Sequence, residues 1–201
     1  MDLGGGGLFS KLSGRQPRIL DQDDYKCFAV IAPVLAGTDS LLFEVRADSL
    51  SKQPGEICFP GGFIEDGETP LEAGVRELAE ELLVSPGDIE IVAPLDILLT
   101  HYGLMIYPFL GYLSGYGRTF SPDEVKEVFT VPVKYFLDND PATYINKTLI
   151  KTSDNFPHEL VGGDNYHWRS GKMPVLFYQY HDKVIWGLTA RIVKNIVDLI
   201  R

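Results

Sequence analysis

The chain has 201 residues, enough to bury one sizeable core, and its composition shifts nowhere sharply enough to mark a second domain. With 28 acidic against 18 basic residues it carries a formal charge of −10, which excludes nonspecific nucleic-acid binding through a basic face. No apolar run approaches a membrane span and no signal-peptide pattern opens the sequence, so a cytoplasmic protein without membrane partners is expected.

The Gly-rich start, residues 1–17, is expected to be loose, leaving 18–201 as one domain. Residues 25–35 (YKCFAVIAPVL) read as a first buried strand and 41–46 (LLFEVR) as a second, with Gly37-Thr38-Asp39 as the hairpin turn between them. Cys27 and Cys58 both fall in apolar, strand-like runs and read as core thiols of a reducing compartment.

A helix follows. Thr69-Pro70-Leu71-Glu72 has the form of a capping box, with Thr69 as N-cap, Pro70 in the first helical position and Glu72 reaching back. Leu71, Val75, Leu78 and Leu82 then form one apolar stripe. Beyond it, 89–99 and 105–112 read as two further strands joined through Thr100-His101-Tyr102-Gly103, where His101 is a candidate phosphate contact. Pro108 suggests an edge strand or a bulge. Residues 121–133 read as an acidic loop ending in a Val-Pro-Val turn, 133–137 as a short helix, and 143–151 as a strand. The long loop 153–174, with Trp168, reads as a lid or a substrate wall. A hairpin (175–180 and 184–186) and an amphipathic helix over 188–200, with Leu188, Ile192, Ile196 and Leu199 inside, complete the alternation of an α/β protein.

The chemistry concentrates between Phe59 and Val84. A Gly61-Gly62 turn leads to Glu65 and Glu68, and the helix then carries Glu77, Glu80 and Glu81 at i, i+3 and i+4, a spacing expected to bring their carboxylates to one patch. Like charges so placed destabilise a helix unless a cation holds them. Mg²⁺ suits, because it takes oxygen ligands and keeps waters for phosphate substrates. Arg76 stands four residues before Glu80 and can pair with it.

Gly62, five residues, Glu68, seven residues, then Arg76-Glu77-Leu78-Ala79-Glu80-Glu81 resembles the signature of the Nudix hydrolases. The resemblance implies an α/β/α sandwich with a mixed β-sheet, in which residues 61–84 form a catalytic loop-helix-loop. It implies Mg²⁺ or Mn²⁺ held by Glu77, Glu80 and Glu81 with the backbone carbonyl of Gly62, Glu77 serving as ligand or base. Arg76 would orient Glu77 or Glu80, and Glu68 would support the site. Gly61 and Gly62 allow close approach of backbone to substrate. One position departs: Leu83 stands where the family pattern has a glycine that ends the helix in a left-handed conformation, which costs a leucine steric energy, so the stop is expected slightly later, at Pro86-Gly87. The acidic loop resembles one that often brings another carboxylate to the metal, with Glu124 and Glu127 as candidates.

The flanks resemble the coenzyme A diphosphatases within that family, through Leu42, Arg46, Leu50, Gly55 and Phe59-Pro60-Gly61-Gly62 before the helix and Trp186-Gly187-Leu188-Thr189-Ala190 near the end. Glu44 and Ala47 replace common hydroxyl residues, and Gln53 a frequent histidine. On an acidic protein, Arg46 and Lys52 are the cations expected to meet a 3′-phosphorylated substrate. The implied reaction is hydrolysis of coenzyme A or its derivatives to 3′,5′-ADP and 4′-phosphopantetheine. Alternatives are ADP-ribose, dinucleotides or a damaged nucleotide as substrate, or a module that senses nucleotide without cleaving it. The partner is a small nucleotide-like molecule, and a homodimer is compatible with the sequence.

Overall fold

In a computed structural model, described for residues 9–163 and 165–201, the elements follow one another as β1 (Lys26–Leu35), β2 (Ser40–Arg46), β3 (Ile57–Cys58), β4 (Gly61–Phe63), α1 (Pro70–Leu82), β5 (Ile89–Pro94), β6 (Leu98–Leu99), β7 (Leu104–Leu113), β8 (Val125–Pro132), α2 (Val133–Asp138), β9 (Ala142–Thr148), β10 (Gly171–Tyr180), β11 (Lys183–Trp186) and α3 (Gly187–Ile200). Of the start expected to be loose, residues 1–8 lie outside the described part, and Ser10–Leu12 makes a single 3-10 turn. No helix among the described residues is long and apolar enough to cross a membrane.

β1 is apolar on both faces, with Ala29, Ile31 and Ala32 fully buried, as a central strand requires. It runs parallel to β7 along its whole length, from Lys26 opposite Leu104 to Leu35 opposite Leu113. Its other edge is shared. β2 pairs there at Val34 and Leu35, while β4 pairs at Phe28, Ala29 and Val30. The mixed sheet therefore forks, and Gly61 and Gly62 sit on the branch opposite Val30 and Ala29. β2 continues the sheet by pairing antiparallel with β3 and β8.

Helices cover both faces. α1 lays Leu78 and Leu82 on Ile31, Leu42, Leu113, Val125 and Val128. On the other side α3 packs Ile192, Val193, Ile196 and Val197 into a larger core with Phe43, Val131 and Phe136. Phe43 stacks between Phe59 and Phe129, at 4.8 and 5.4 Å. The stripes differ from expectation at their ends. Leu71 is 37% exposed, and Ala73 and Gly74 take the buried positions of the first turn. Leu199 is likewise exposed, since Val193 and Val197 face the core instead.

Four readings of the sequence are corrected. Residues 89–99 form two strands, not one, because Leu95-Asp96-Ile97 leaves the ladder. Pro108 lies inside the central strand β7, not at an edge; it stands between the stretches that pair with β5 and β6, where its missing N–H is not called on. Residues 125–132 are the strand β8, not a loop, since Val125, Val128, Phe129 and Val131 bury against β2. The long loop ends at Gly171, where β10 begins.

β9, β10 and β11 make a second, antiparallel sheet. Its Leu176, Tyr178, Tyr180 and Ile185 close the larger core from one side.

Candidate active site

The capping box at the start of α1 forms as the sequence dictates. Thr69 Oγ1 accepts from the Glu72 N–H, and the Glu72 carboxylate accepts from the Thr69 N–H at 2.8 Å. This fixes the helix one short loop away from β4. The helix ends at Leu82, with Leu83 itself at φ 53° and ψ 49°. The left-handed stop thus falls where the family pattern places it, on a leucine, and not at Pro86-Gly87.

Arg76 organises the loop side of the site. Its Nε and Nη2 grip the Glu68 carboxylate at 2.7 and 3.0 Å, while Nη1 holds Glu77 at 2.8 Å. Nη2 also donates to the Phe63 carbonyl at 3.2 Å. Glu80 is only 3.5 Å from Nη1, with its side chain 61% exposed. The Arg76 bonds and the Glu65 N–H hold Glu68 below the usual carboxylate range. Glu77 is pushed up by burial, against the pull of Arg76.

Glu77 and Glu81, one turn apart, face the cleft; Glu80 does not line it. Successive helical residues diverge by about 100°, so one turn cannot aim Glu80 and Glu81 at the same point as directly as Glu77 and Glu81. Glu81 is 3% exposed and accepts from the Gly61 N–H at 2.9 Å. The Glu77 carboxylate occupies the place that a Cβ on Gly62 would take.

Glu44 enters from β2 and is fully buried. Its Oε1 accepts from the Cys58 thiol at 3.2 Å, and its Oε2 has no partner among the described residues. Burial drives the Glu44–Glu81 pair well above the ordinary carboxylate range, each charge reinforcing the effect on its neighbours. Burial and Glu44 together raise the Cys58 thiol. Sequence reasoning met Glu44 only as a departure from a hydroxyl residue. The available signal was an acid in a strand apolar on both faces, in the same alternation as Leu42.

Of the two candidate loop acids, Glu124 lines the cleft and its charge raises Glu44, Glu77 and Glu81. Its carbonyl accepts from Ala47 N–H at 2.8 Å, anchoring the end of the loop to β2. Glu127 points elsewhere, to Lys183 at 2.7 Å. Arg46 and Lys52 both line the cleft, and Arg46 Nε reaches the Lys52 carbonyl at 3.4 Å. His101 lines it too. The cleft has a volume of about 1270 Å³ and runs from Gly61 and Gly62 to the second sheet.

No ready-made cluster of three His, Cys, Asp or Glu side chains is present among the described residues. The donor set nevertheless suits a hard divalent cation. Three carboxylates, Glu77, Glu81 and Glu124, line the cleft, and Glu44 is buried beside Cys58; Arg76 balances Glu77, but the buried Glu81 and Glu44 find only the Gly61 N–H and a weak thiol donor.

The NUDIX domain family matches residues 26–152. The peroxisomal coenzyme A diphosphatase NUDT7 of Mus musculus is 37% identical over 133 residues, which cover 64% of this chain and 56% of that protein. The peroxisomal coenzyme A diphosphatase ndx-8 of Caenorhabditis elegans is 35% identical over 104 residues, 49% of this chain and 44% of that protein. The chain thus spans about half the length of these two relatives. Among solved structures, DR0079 from Deinococcus radiodurans superposes with a TM-score of 0.46 at 21% identity, covering 56% of this chain and 70% of the other. By the family match over residues 26–152, more than half of its length, the chain belongs to the Nudix hydrolase family.

Proposed function

We propose that the protein hydrolyses the diphosphate linkage of coenzyme A or its derivatives, releasing 3′,5′-ADP and 4′-phosphopantetheine or its derivative. The observation that carries this reading is one cleft joining the carboxylates Glu77, Glu81 and Glu124 to the cations Arg46 and Lys52. Ligand pockets commonly measure roughly 300–1,000 Å³, so a cleft of about 1270 Å³ suits a long substrate with chemically different ends. The names of the two relatives point the same way.

Glu77 and Glu81, which face the cleft, would hold Mg²⁺ or Mn²⁺ with the Gly62 carbonyl, and Glu80 would join them only by turning in from its exposed position. The ion when bound would neutralise phosphoryl oxygens and lower the pKa of water. Arg76 keeps Glu77 in place through its bond at 2.8 Å and is itself braced by Glu68. Glu77 or Glu124 takes the proton of the attacking water. The water oxygen bonds to one phosphorus, and the other phosphate leaves with the bridging oxygen. The bare backbone at Gly62 is taken up by the Glu77 carboxylate and that at Gly61 by the Ala29 carbonyl and Val30, so these glycines serve the packing of the site and not an open approach for the diphosphate. Arg46 and Lys52 meet the 3′-phosphate.

Mass spectrometry of products tests the reading, using purified protein with Mg²⁺ or Mn²⁺ and coenzyme A, dephospho-coenzyme A, ADP-ribose, NADH and diadenosine polyphosphates. Preferential release of 3′,5′-ADP and 4′-phosphopantetheine is expected. Preference for another compound would keep the hydrolase and discard the coenzyme A assignment, while nucleotide binding without cleavage would indicate a sensor.

A further inference from the structure

β2 turns Glu44 towards the catalytic helix. Glu44 stands opposite Cys58 of β3 and Val128 of β8, and directly opposed residues share a face of the sheet. On that face Leu42 and Val128 pack against Leu78 and Leu82 of α1. Glu81 lies between those two leucines in the helix and is buried with them. An acid from the sheet and an acid from the helix therefore face each other beside the cleft that Glu81 lines. The charge of Glu44 acts on Glu81, and the charges of Glu77 and Glu124 act on Glu44 in turn.

Each member of this pair is held by one oxygen. Glu81 accepts from the Gly61 N–H through Oε2 at 2.9 Å. Glu44 accepts from the Cys58 thiol through Oε1 at 3.2 Å, and its Oε2 is buried with no hydrogen-bond partner among the described residues. Ionised, that oxygen lacks a donor; protonated, it lacks an acceptor, so neither state of the bare carboxyl group satisfies it. A carboxylate 1% exposed, between Phe43 and Val45, is costly to keep unless opposite charge meets it. Arg76 is already committed to Glu68 and Glu77. Arg46 acts on Glu44 through its charge, while its Nε donates to the Lys52 carbonyl. The helix itself turns only Glu77 and Glu81 of its three signature acids to the cleft, with Glu80 outward.

We propose that Glu44 is a further ligand of the divalent cation, adding through Oε2 a third carboxylate to the two that α1 supplies. The proposal rests on the divalent-cation reading of the site and not on the identity of the organic substrate. Cys58 is then a positioning residue: its thiol holds Oε1 and leaves Oε2 for a hard ion, which prefers oxygen to sulfur.

The test is Mn²⁺ binding by the full chain, followed through the electron paramagnetic resonance signal of the free ion, for wild type, Glu44→Gln and Glu44→Asp. Metal-free melting curves show whether each variant is folded. Glu44→Gln keeps the shape and removes the charge, whereas Glu44→Asp keeps the charge and draws it back by one methylene. Both are expected to weaken Mn²⁺ binding by about tenfold or more, at least the scale that an outer-shell partner contributes. Wild-type crystals soaked in Mn²⁺ are expected to show an anomalous peak within about 2.5 Å of Glu44 Oε2. That measurement needs no variant and decides the matter if neither substitution folds. Affinities equal to wild type in both variants would overturn the proposal, as would an ion bound away from Glu44. A loss in Glu44→Gln that Glu44→Asp does not share would reveal a charge acting at a distance, not a ligand, and would also overturn it. No Mn²⁺ binding by the wild type would remove the divalent-cation reading itself and the proposal with it.

Discussion

The carboxylate of Glu77 sits where a side chain on Gly62 would begin. The two residues are therefore one device, a backbone position kept bare so that an acid can close over it. Gly62 does not have a positive φ, so alanine meets no backbone strain there, only the end of a flexible glutamate. Gly62→Ala is expected to displace Glu77 and lower kcat by roughly 10²-fold, the scale that a misplaced catalytic geometry costs, while the melting temperature stays near wild type. Gly61→Ala differs in kind, because its Cβ would run into the Ala29 carbonyl and Val30. It is expected to destabilise the fold by about 1–3 kcal/mol. Thermal melts and steady-state rates on both variants check this contrast, and a Gly62→Ala enzyme of normal activity would contradict it.

Arg76 gives a second contrast. It braces Glu77 from one side while Glu68 braces Arg76 from the other. Arg76→Lys keeps the charge but loses the fork that reaches both acids at once. It is expected to lower kcat by about tenfold or more, on the scale of one charge-assisted hydrogen bond, with Glu68→Gln losing less. Equal rates for Arg76→Lys and wild type would show that Glu77 needs no such support.

The buried acids predict how stability follows pH. Glu44 and Glu81 have folded-state pKa values raised above the ordinary carboxylate value, so in the folded protein the pair keeps a proton that the unfolded chain releases. Its contribution is fully present below the unfolded value and is lost as pH rises from there to about 9. The metal-free protein is therefore expected to melt lower at pH 9 than at pH 6, by roughly 2–4 °C for each kcal/mol of repulsion. Mg²⁺ should reverse the loss. Glu44→Gln removes one of the two charges and should flatten the metal-free profile. Melting curves in EDTA across that range, with and without the substitution, decide it; a wild-type melting temperature that rises towards pH 9 would exclude the mechanism.

The catalytic segment was legible because it is local. A capping box, a Gly-Gly turn and four acids at fixed spacings depend on residues within one loop and one helix, and Thr69, Glu72, Arg76 and Glu77 stand as that spacing dictates. What escaped depends on partners distant in sequence. β8 looks like an acidic loop until Val128 and Phe129 find β2, with Glu44 opposite Val128 and Phe43 opposite Phe129. Glu44 has no local reason to be buried; its neighbours Cys58 and Glu81 arrive from 14 and 37 residues away along the chain. The second sheet was read as a separate strand and hairpin, and only register shows that Tyr144 and Trp186 share a face with Phe177.

Arg46 and Lys52 bear on substrate choice. If they meet the 3′-phosphate, Arg46→Ala should lower kcat/KM for coenzyme A by about tenfold to 10²-fold, the range for a hydrogen bond to a charged group, and much less for dephospho-coenzyme A. Lys52→Ala should follow with a smaller difference, since an exposed ammonium is a well-hydrated point charge. Parallel kinetics on the two compounds measure this. Equal losses on both would assign Arg46 to its contact with the Lys52 carbonyl, and so to loop structure alone.

Leu83 ends α1 in the left-handed conformation that glycine adopts without cost. Its N–H still closes on Ala79 and the Val84 N–H bonds the same carbonyl at 3.1 Å, so the helix stop is made despite the side chain. The steric cost of a leucine there is about 1–2 kcal/mol. Its burial offers little in return, because it is 58% exposed. Glycine gives back part of the gain through the entropy of the unfolded chain. Leu83→Gly is therefore expected to stabilise the protein by about 0.5–1 kcal/mol, a rise of roughly 1–4 °C in melting temperature for a chain of this size. Leu83→Asn should fall between the two, and Leu83→Val should melt lowest, since a β-branched residue tolerates positive φ worst. A glycine variant that melts below wild type would mean that the exposed leucine makes a contact worth more than its strain.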